Sequence, residues 1–187
     1  MSEKIVIVGA GIVGVSTGIW LRQFGADVVI VDRGAPGMGT SYGNAGVLAA
    51  CAMVPVTVPG LLRKGPGYLM NPNFPLFLRW SYLPKLAPWL MKYLSNANDS
   101  DTRRIARYLS PIVTDSVEQH KALTRDTTAE HWVTESDYHF AYADRAAFQA
   151  DAYTWGLRRE IGFEPVLHEG NAVREREPNL SPAIGCL

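Results

Sequence analysis

Residues 4–32 constrain this chain most. An apolar run, Ile5-Val6-Ile7-Val8, leads directly into Gly9-Ala10-Gly11-Ile12-Val13-Gly14. A helical pattern follows, then a second apolar run, Val28-Val29-Ile30-Val31, closed by Asp32. A lone G-x-G-x-x-G says little. Between a buried-strand pattern and a helix, with an acid at the tip of the next strand, it fits a dinucleotide-binding turn. Residues 3–32 are therefore expected to form a βαβ unit with parallel strands and a right-handed crossover.

Each residue of the motif has a physical task. Gly9 allows the tight turn out of the strand. Gly11, without a side chain, lets a pyrophosphate approach the backbone. Gly14 lets the helix pack closely on the sheet. Phosphates would sit where the helix begins, because unpaired N–H groups and the helix dipole favour an anion there. Asp32 lies about 20 residues beyond the glycines, where a carboxylate accepts from ribose hydroxyls. The competing reading is a structural βα turn carrying three glycines and an acid. Ile12, Val15, Ile19 and Phe24 space out as the helix's buried face, and Gly25 is expected to end it. Gly18 costs helix propensity, so close packing is its expected reason. The apolar run 27–31 predicts a strand covered on both faces.

Charge excludes little but narrows the partners. Lys/Arg and Asp/Glu balance at 18 each, which gives no case for nucleic acid. The balance is uneven: residues 1–98 hold 8 basic and 3 acidic side chains, residues 99–187 hold 10 and 15. The basic part is compatible with phosphate ligands or a membrane surface. Cys51 and Cys186 are the only cysteines. With no secretory pattern at the start, they read as reduced thiols of a cytoplasmic protein. No apolar run approaches the length of a membrane span.

Residues 60–94 interleave Pro66, Pro72, Pro75, Pro84 and Pro88 with Tyr68, Phe74, Phe77, Trp80, Tyr82, Trp89 and Tyr93. The prolines forbid one long helix, so short helices are expected near 77–82 and 85–94. Two readings compete for this segment: a packed helical insertion, or a peripheral contact with the inner face of a membrane through interfacial Trp, Tyr and basic residues. From Asp99 to Arg125 the pattern is helical, with Ile105, Leu109, Ile112, Val113, Val117 and His120 on one side. Ser110-Pro111 predicts an N-cap and first helical position, hence two consecutive helices or a kink. Tyr138 to Tyr142 alternates and reads as a strand. Asp144 to Arg159 reads as a helix opened by Asp144, Phe163 to Leu167 as a short strand, and Gly170 to Glu175 as a turn or short helix. His120, His131, His139 and His168 have no metal-ligand spacing, and no metal is expected. Neither a Gly-x-Ser-x-Gly elbow nor a Walker loop is present.

The loop Thr40-Ser41-Tyr42-Gly43-Asn44-Ala45-Gly46, so soon after Asp32, resembles the flavoprotein family of D-amino-acid dehydrogenases and glycine oxidases, the DAO family. The proline–aromatic segment, the 138–159 region and the tail Arg174-Glu175-Arg176-Glu177-Pro178-Asn179-Leu180-Ser181-Pro182 agree with it. The tail looks like the family's Glu-Pro-x-Leu turn. The resemblance covers the whole chain and is nearest to bacterial D-amino-acid dehydrogenases.

The resemblance implies FAD as cofactor. Gly9, Gly11, Val13 and Gly14 would meet its pyrophosphate, and Asp32, with Arg33 beside it, the adenosine ribose. The family more often has Glu at the Asp32 position. Thr40, Ser41, Asn44, Ala45 and Gly46 would line the phosphate and the ribityl–flavin side. The implied reaction is hydride transfer from the amine-bearing carbon of a D-amino acid to the flavin, giving an imine that hydrolyses to a 2-oxo acid and ammonia.

The implied fold is α/β: a Rossmann-like FAD/NAD(P)-binding βαβ unit (1–59), a proline–aromatic helical insertion (60–130), and the beginning of an α+β substrate domain (131–187), truncated. Family members run considerably longer, so the resemblance implies an N-terminal portion that alone does not turn over amino acids and leaves its catalytic residues unknown. Two other readings remain. One is a non-catalytic nucleotide-binding fragment or subunit, with a partner chain supplying the missing half. The other is a small NAD(P)-dependent oxidoreductase. Asp32 argues against a 2′-phosphate, while Arg33 keeps NADP open.

Overall fold

The computed structural model describes residues 4–70 and 78–187. Residue 3 of the 3–32 range, and Pro72, Phe74, Pro75 and Phe77 named above, lie outside those residues. The chain divides into two compact units, residues 1–48 with 116–136, and residues 49–115 with 137–187.

The first unit is built on the glycine motif. Strands β1 (Lys4–Val8) and β2 (Asp27–Val31) pair in parallel, with Lys4 opposite Asp27 and Val8 opposite Val31. Helix α1 (Ile12–Gln23) connects them and packs against β2. The expected parallel βαβ unit is therefore present. Gly18 is the buried residue of α1. A Cβ there would lie 2.9 Å from Ile30 Cδ1 and 3.4 Å from Ile7 Cδ1, so close packing does explain this glycine. Gly25 ends the helix at φ +87°. Its N–H donates to Arg22 O and that of Ala26 to Leu21 O, the paired bonds of a glycine-stopped helix.

Two expectations about this unit need correcting. Ile12, Ile19 and Phe24 are exposed. The face of α1 turned to the sheet runs through Gly14 and Gly18 instead, because the helix lies too close for large side chains. Nor, among the described residues, is the sheet covered on both faces. Ile7 and Ile30 reach toward α1, whereas Val6, Val8, Val29 and Val31 are exposed on the opposite side. Helix α5 (Ser116–Thr124) packs on α1. Lys121 bridges Glu118 and Glu135 beside it.

The second unit is mostly helical. Helix α2 spans Leu61–Met70, a 3-10 turn spans Trp80–Tyr82, and α3 spans Leu83–Ser95 with Pro84 in its first turn and Pro88 inside. Helix α4 (Asp99–Val113) starts at Asn98, whose side chain accepts the Asp101 N–H at 2.9 Å. Asp99 and Asp101 in the first turn suit the positive helix end. The helix carries Pro111 within its last turns and breaks only after Val113. Two consecutive helices or a kink were expected, and two consecutive helices, α4 and α5, are present, but the break falls after Val113 and Ser110 is no N-cap. Its carbonyl accepts from both the N–H and the hydroxyl of Thr114, and so continues α4 past the proline.

The buried side of α4 matches expectation only in part, with Ile105 and Val113 half-buried as expected. Thr102 and Ala106 are buried, while Leu109 and Ile112 are exposed. The Thr102 hydroxyl sits 2.7 Å from Thr57 O, tying α4 to the turn-rich segment ahead of α2. Met53, Ala106 and Leu157 form the core, with Val54, Tyr153 and Ile161 against it.

The helix opened by Asp144 is two helices, α6 (Arg145–Ala150) and α7 (Ala152–Arg159). Asp144 caps the first, accepting from Ala147 N–H at 2.8 Å. Tyr138–Tyr142 and Phe163–Leu167 are not strands. Only isolated antiparallel bridges form, Tyr142 to Cys186 and Glu169 to Cys186. The short 184–187 segment is the sole ladder partner these residues find among those described. The aromatic alternation serves packing instead: Phe140 meets Trp155 edge-on with centroids 5.1 Å apart. Helix α8 (Asn171–Arg176) follows, as expected after Gly170. Its Arg174 guanidinium donates to the carbonyls of Leu180, Ser181 and Pro182, each at 3.0 Å. That fork holds the Glu-Pro-x-Leu turn in place.

Candidate dinucleotide-binding site

The site lies within the first unit, at the carboxyl ends of β1 and β2. Gly9 turns the chain at φ +111°, a conformation that disfavours side chains. Its N–H still donates to Val31 O at 2.7 Å, so the turn continues the ladder. Gly11 then caps α1 in an extended conformation without any side-chain hydrogen bond, and no acid occupies the first turn. The N–H groups that open α1, those of Val13 and Gly14 among them, precede the first i→i−4 partner and have no intrahelical acceptor. They face the positive end of the dipole, the arrangement that receives an anion.

The three glycines differ in what they exclude. A Cβ on Gly14 would lie 1.9 Å from Gly9 O, an impossible overlap with backbone. A Cβ on Gly11 would meet nothing within 4 Å. Gly14 is thus required by the fold, whereas the space over Gly11 is open. That open space lies beside the unpaired N–H donors.

Asp32 joins the two βα turns. Its Oδ2 accepts from Ala10 N–H at 2.7 Å and its Oδ1 from Gly34 N–H at 2.8 Å. These backbone donors, Ala10 first, hold the carboxyl below its ordinary value, with the Arg33 charge adding to the effect. Asp32 is exposed. A carboxylate has about four acceptor positions, so capacity remains on both oxygens for ribose hydroxyls. Gly37 N–H donates to Ala10 O at 2.9 Å and brings the following loop back to the glycine turn. No side-chain pattern marks Ala10 as the organising residue, because its contribution is entirely through backbone.

Thr40 to Gly46 is an exposed, turn-rich loop. Asn44 Oδ1 accepts from Gly46 N–H at 2.7 Å, and Gly43 and Gly46 take φ of +74° and +67°. The amide oxygen of Asn44 is thus engaged in loop shape. The hydroxyls of Thr40 and Ser41 make no hydrogen bond to other described residues. Among the described residues no cluster of His, Cys, Asp or Glu is placed to hold a metal.

The family model described as "FAD dependent oxidoreductase", DAO, matches residues 4–187. This chain belongs to the DAO family of FAD-dependent oxidoreductases. Among similar DAO-family proteins is a D-amino-acid oxidase of Bradyrhizobium diazoefficiens, 36% identical over 183 residues. That match covers 96% of this chain and 43% of the relative. A D-amino acid dehydrogenase 2 of Ralstonia nicotianae is 32% identical over 98% of this chain and 44% of its own length. A D-amino acid dehydrogenase of Rhizobium rhizogenes is 37% identical over 56% of this chain and 27% of its own. The chain spans less than half the length of these curated relatives. No solved structure matches it significantly. FAD is the cofactor of the family, and the open cradle at Gly11 together with the charged, accessible Asp32 suits its pyrophosphate and ribose.

Proposed function

We propose that this chain supplies the ADP-binding part of an FAD-dependent oxidoreductase acting on D-amino acids. The observation that supports this reading most is the Asp32–Ala10 hydrogen bond, which sets a ribose-type acceptor beside an uncapped helix start. Gly9 shapes the turn, Gly11 leaves room, and the Val13 and Gly14 N–H groups donate to the pyrophosphate. Asp32 accepts from the adenosine ribose, with Arg33 beside it as a counter-charge. Thr40, Ser41, Asn44, Ala45 and Gly46 provide hydroxyl, amide and backbone donors toward the phosphate and ribityl–flavin side.

When bound, FAD supplies the acceptor for a hydride from the amine-bearing carbon of the substrate. The residues above hold it by its polar end and leave the redox chemistry to the ring. The D-amino-acid substrate class follows from the names of the relatives. Titrating the purified chain with FAD and, separately, with NAD tests the cofactor. Saturable quenching of flavin fluorescence, with no effect of NAD, is expected. Saturable NAD binding without flavin binding would replace this reading with a nicotinamide enzyme.

A further inference from the structure

We propose that Arg158, in the second unit, anchors a binding site for a small monocarboxylate. The inference stands apart from the FAD reading and uses none of its residues. It begins from an inversion among the arginines. Arg103, Arg104, Arg145, Arg159 and Arg176 each meet a carboxylate, and their side chains are 43% to 60% exposed. Arg158 is 8% exposed and meets no carboxylate among the described residues. A buried charge without a counter-ion is costly, so buried arginines ordinarily sit against an acid.

Neutral groups hold this guanidinium. Its carbon lies 4.4 Å from the Phe140 ring centroid and 4.9 Å from that of Trp155. Aromatic faces attract a cation but give its N–H groups no lone pairs. Nε donates to Cys51 O at 3.4 Å and Nη1 to the Thr154 hydroxyl at 3.2 Å. Charge-assisted bonds to an acid are shorter, about 2.7–2.9 Å. Asp151, at the N-cap of α7, accepts from the Tyr142 hydroxyl instead. A guanidinium has five N–H donors; two are engaged, so one on Nη1 and both on Nη2 remain. Among the described residues no buried side-chain nitrogen or oxygen lacks a partner. Nη2, which has none, is therefore open to solvent, and so to a ligand.

Charge and shape select the occupant. The remaining N–H groups of Nη1 and Nη2 lie in one plane and form the fork that two carboxylate oxygens fit. The neighbouring Arg159 is paired with Glu164 and adds no free charge. One guanidinium balances one negative charge, which suits a monocarboxylate better than a phosphate dianion. Phe140 is half-buried, and Tyr138, 49% exposed, tilts against it with centroids 5.0 Å apart. These rings give the short carbon body of the ligand an aromatic wall.

Thermal melts and NMR of the full purified chain test the proposal, with acetate as the probe and chloride at matched ionic strength and pH as the control. The melting temperature should rise saturably with acetate, because a ligand that binds only the folded chain stabilises it, and should stay level in chloride. The Arg158 Nε–H resonance of the parent should shift along the same saturation curve. Arg158→Met keeps a long side chain without the charge and should lose the acetate response. Arg158→Lys keeps the charge without the fork and should need roughly tenfold more acetate, the loss of one charge-assisted hydrogen bond. An equal rise in chloride overturns the proposal, as does an acetate response unchanged in Arg158→Met. Where a variant does not fold, the parent decides: an Arg158 resonance that acetate leaves in place overturns the site.

Discussion

The Asp32 carboxylate accepts the Ala10 N–H at 2.7 Å, across 22 residues of sequence. One side chain at the end of β2 thereby fixes the turn that ends β1. The same carboxylate bonds Gly34 N–H, so both βα turns share one anchor.

That anchor has a pH signature. Backbone N–H donors depress the Asp32 pKa in the folded chain. A depressed carboxyl adds stability above its unfolded pKa, and this is lost as pH falls through the folded value. An NMR titration should place the Asp32 midpoint below 3.8. Asp32→Asn should flatten the acid limb of the stability profile. A midpoint at or above the ordinary value would contradict the anchor.

Gly14 and Gly11 should respond oppositely to Ala. At Gly14 the new Cβ overlaps Gly9 O, and backbone yields poorly. Gly14→Ala should cost at least about 1–3 kcal/mol in urea denaturation. At Gly11 the Cβ meets nothing, so Gly11→Ala should stay within about 0.5 kcal/mol of the parent.

Arg174 should matter for the tail rather than the cofactor. Its guanidinium fork satisfies the carbonyls of Leu180, Ser181 and Pro182. Arg174→Ala should lower stability by about 2 kcal/mol. Arg174→Lys should recover only part, since an ammonium lacks the fork. Equal stability of the three proteins in urea would show the tail is held otherwise.

Tyr142 should ionise late. Its hydroxyl donates to Asp151 at 2.8 Å and accepts from Trp155 Nε1–H at 2.9 Å. Burial, and then the bond to Asp151, push its pKa up to about 12. A raised pKa contributes stability below the unfolded value of 10.0 that is lost as pH climbs through the folded one. Thermal melts should therefore decline through this alkaline range, and Tyr142→Phe should decline less. Parallel curves would contradict the assignment.

The βαβ unit was legible because its signals are local: a run, a glycine turn, a helix stop and an acid. Gly18 was legible too, since a helix rarely keeps a glycine without a packing reason. The face of α1 was not. Periodicity favours Ile12 and Ile19, but the close approach recorded by Gly14 and Gly18 leaves them no room. The 138–142 and 163–167 segments failed as strands because alternation cannot report whether a ladder partner exists. Pro111 announced the pair of helices but misplaced their break by a few residues, because Ser110 and Thr114 together continue α4 past it. In the site, the Gly9–Gly14 turn and Asp32 at the end of β2 come together through the Asp32–Ala10 bond. The part played by Ala10 lies in its backbone, where no side-chain pattern records it.

The most direct measurement is the visible spectrum of the chain after incubation with FAD and gel filtration, compared with Gly11→Val. Gly11 sits at φ −77° and ψ −177°, extended backbone that Val adopts readily, so the variant should fold with the same circular dichroism. The account predicts flavin absorbance eluting with the parent, none with Gly11→Val, and a smaller loss with Asp32→Ala. A folded Gly11→Val that retains as much flavin as the parent would contradict it.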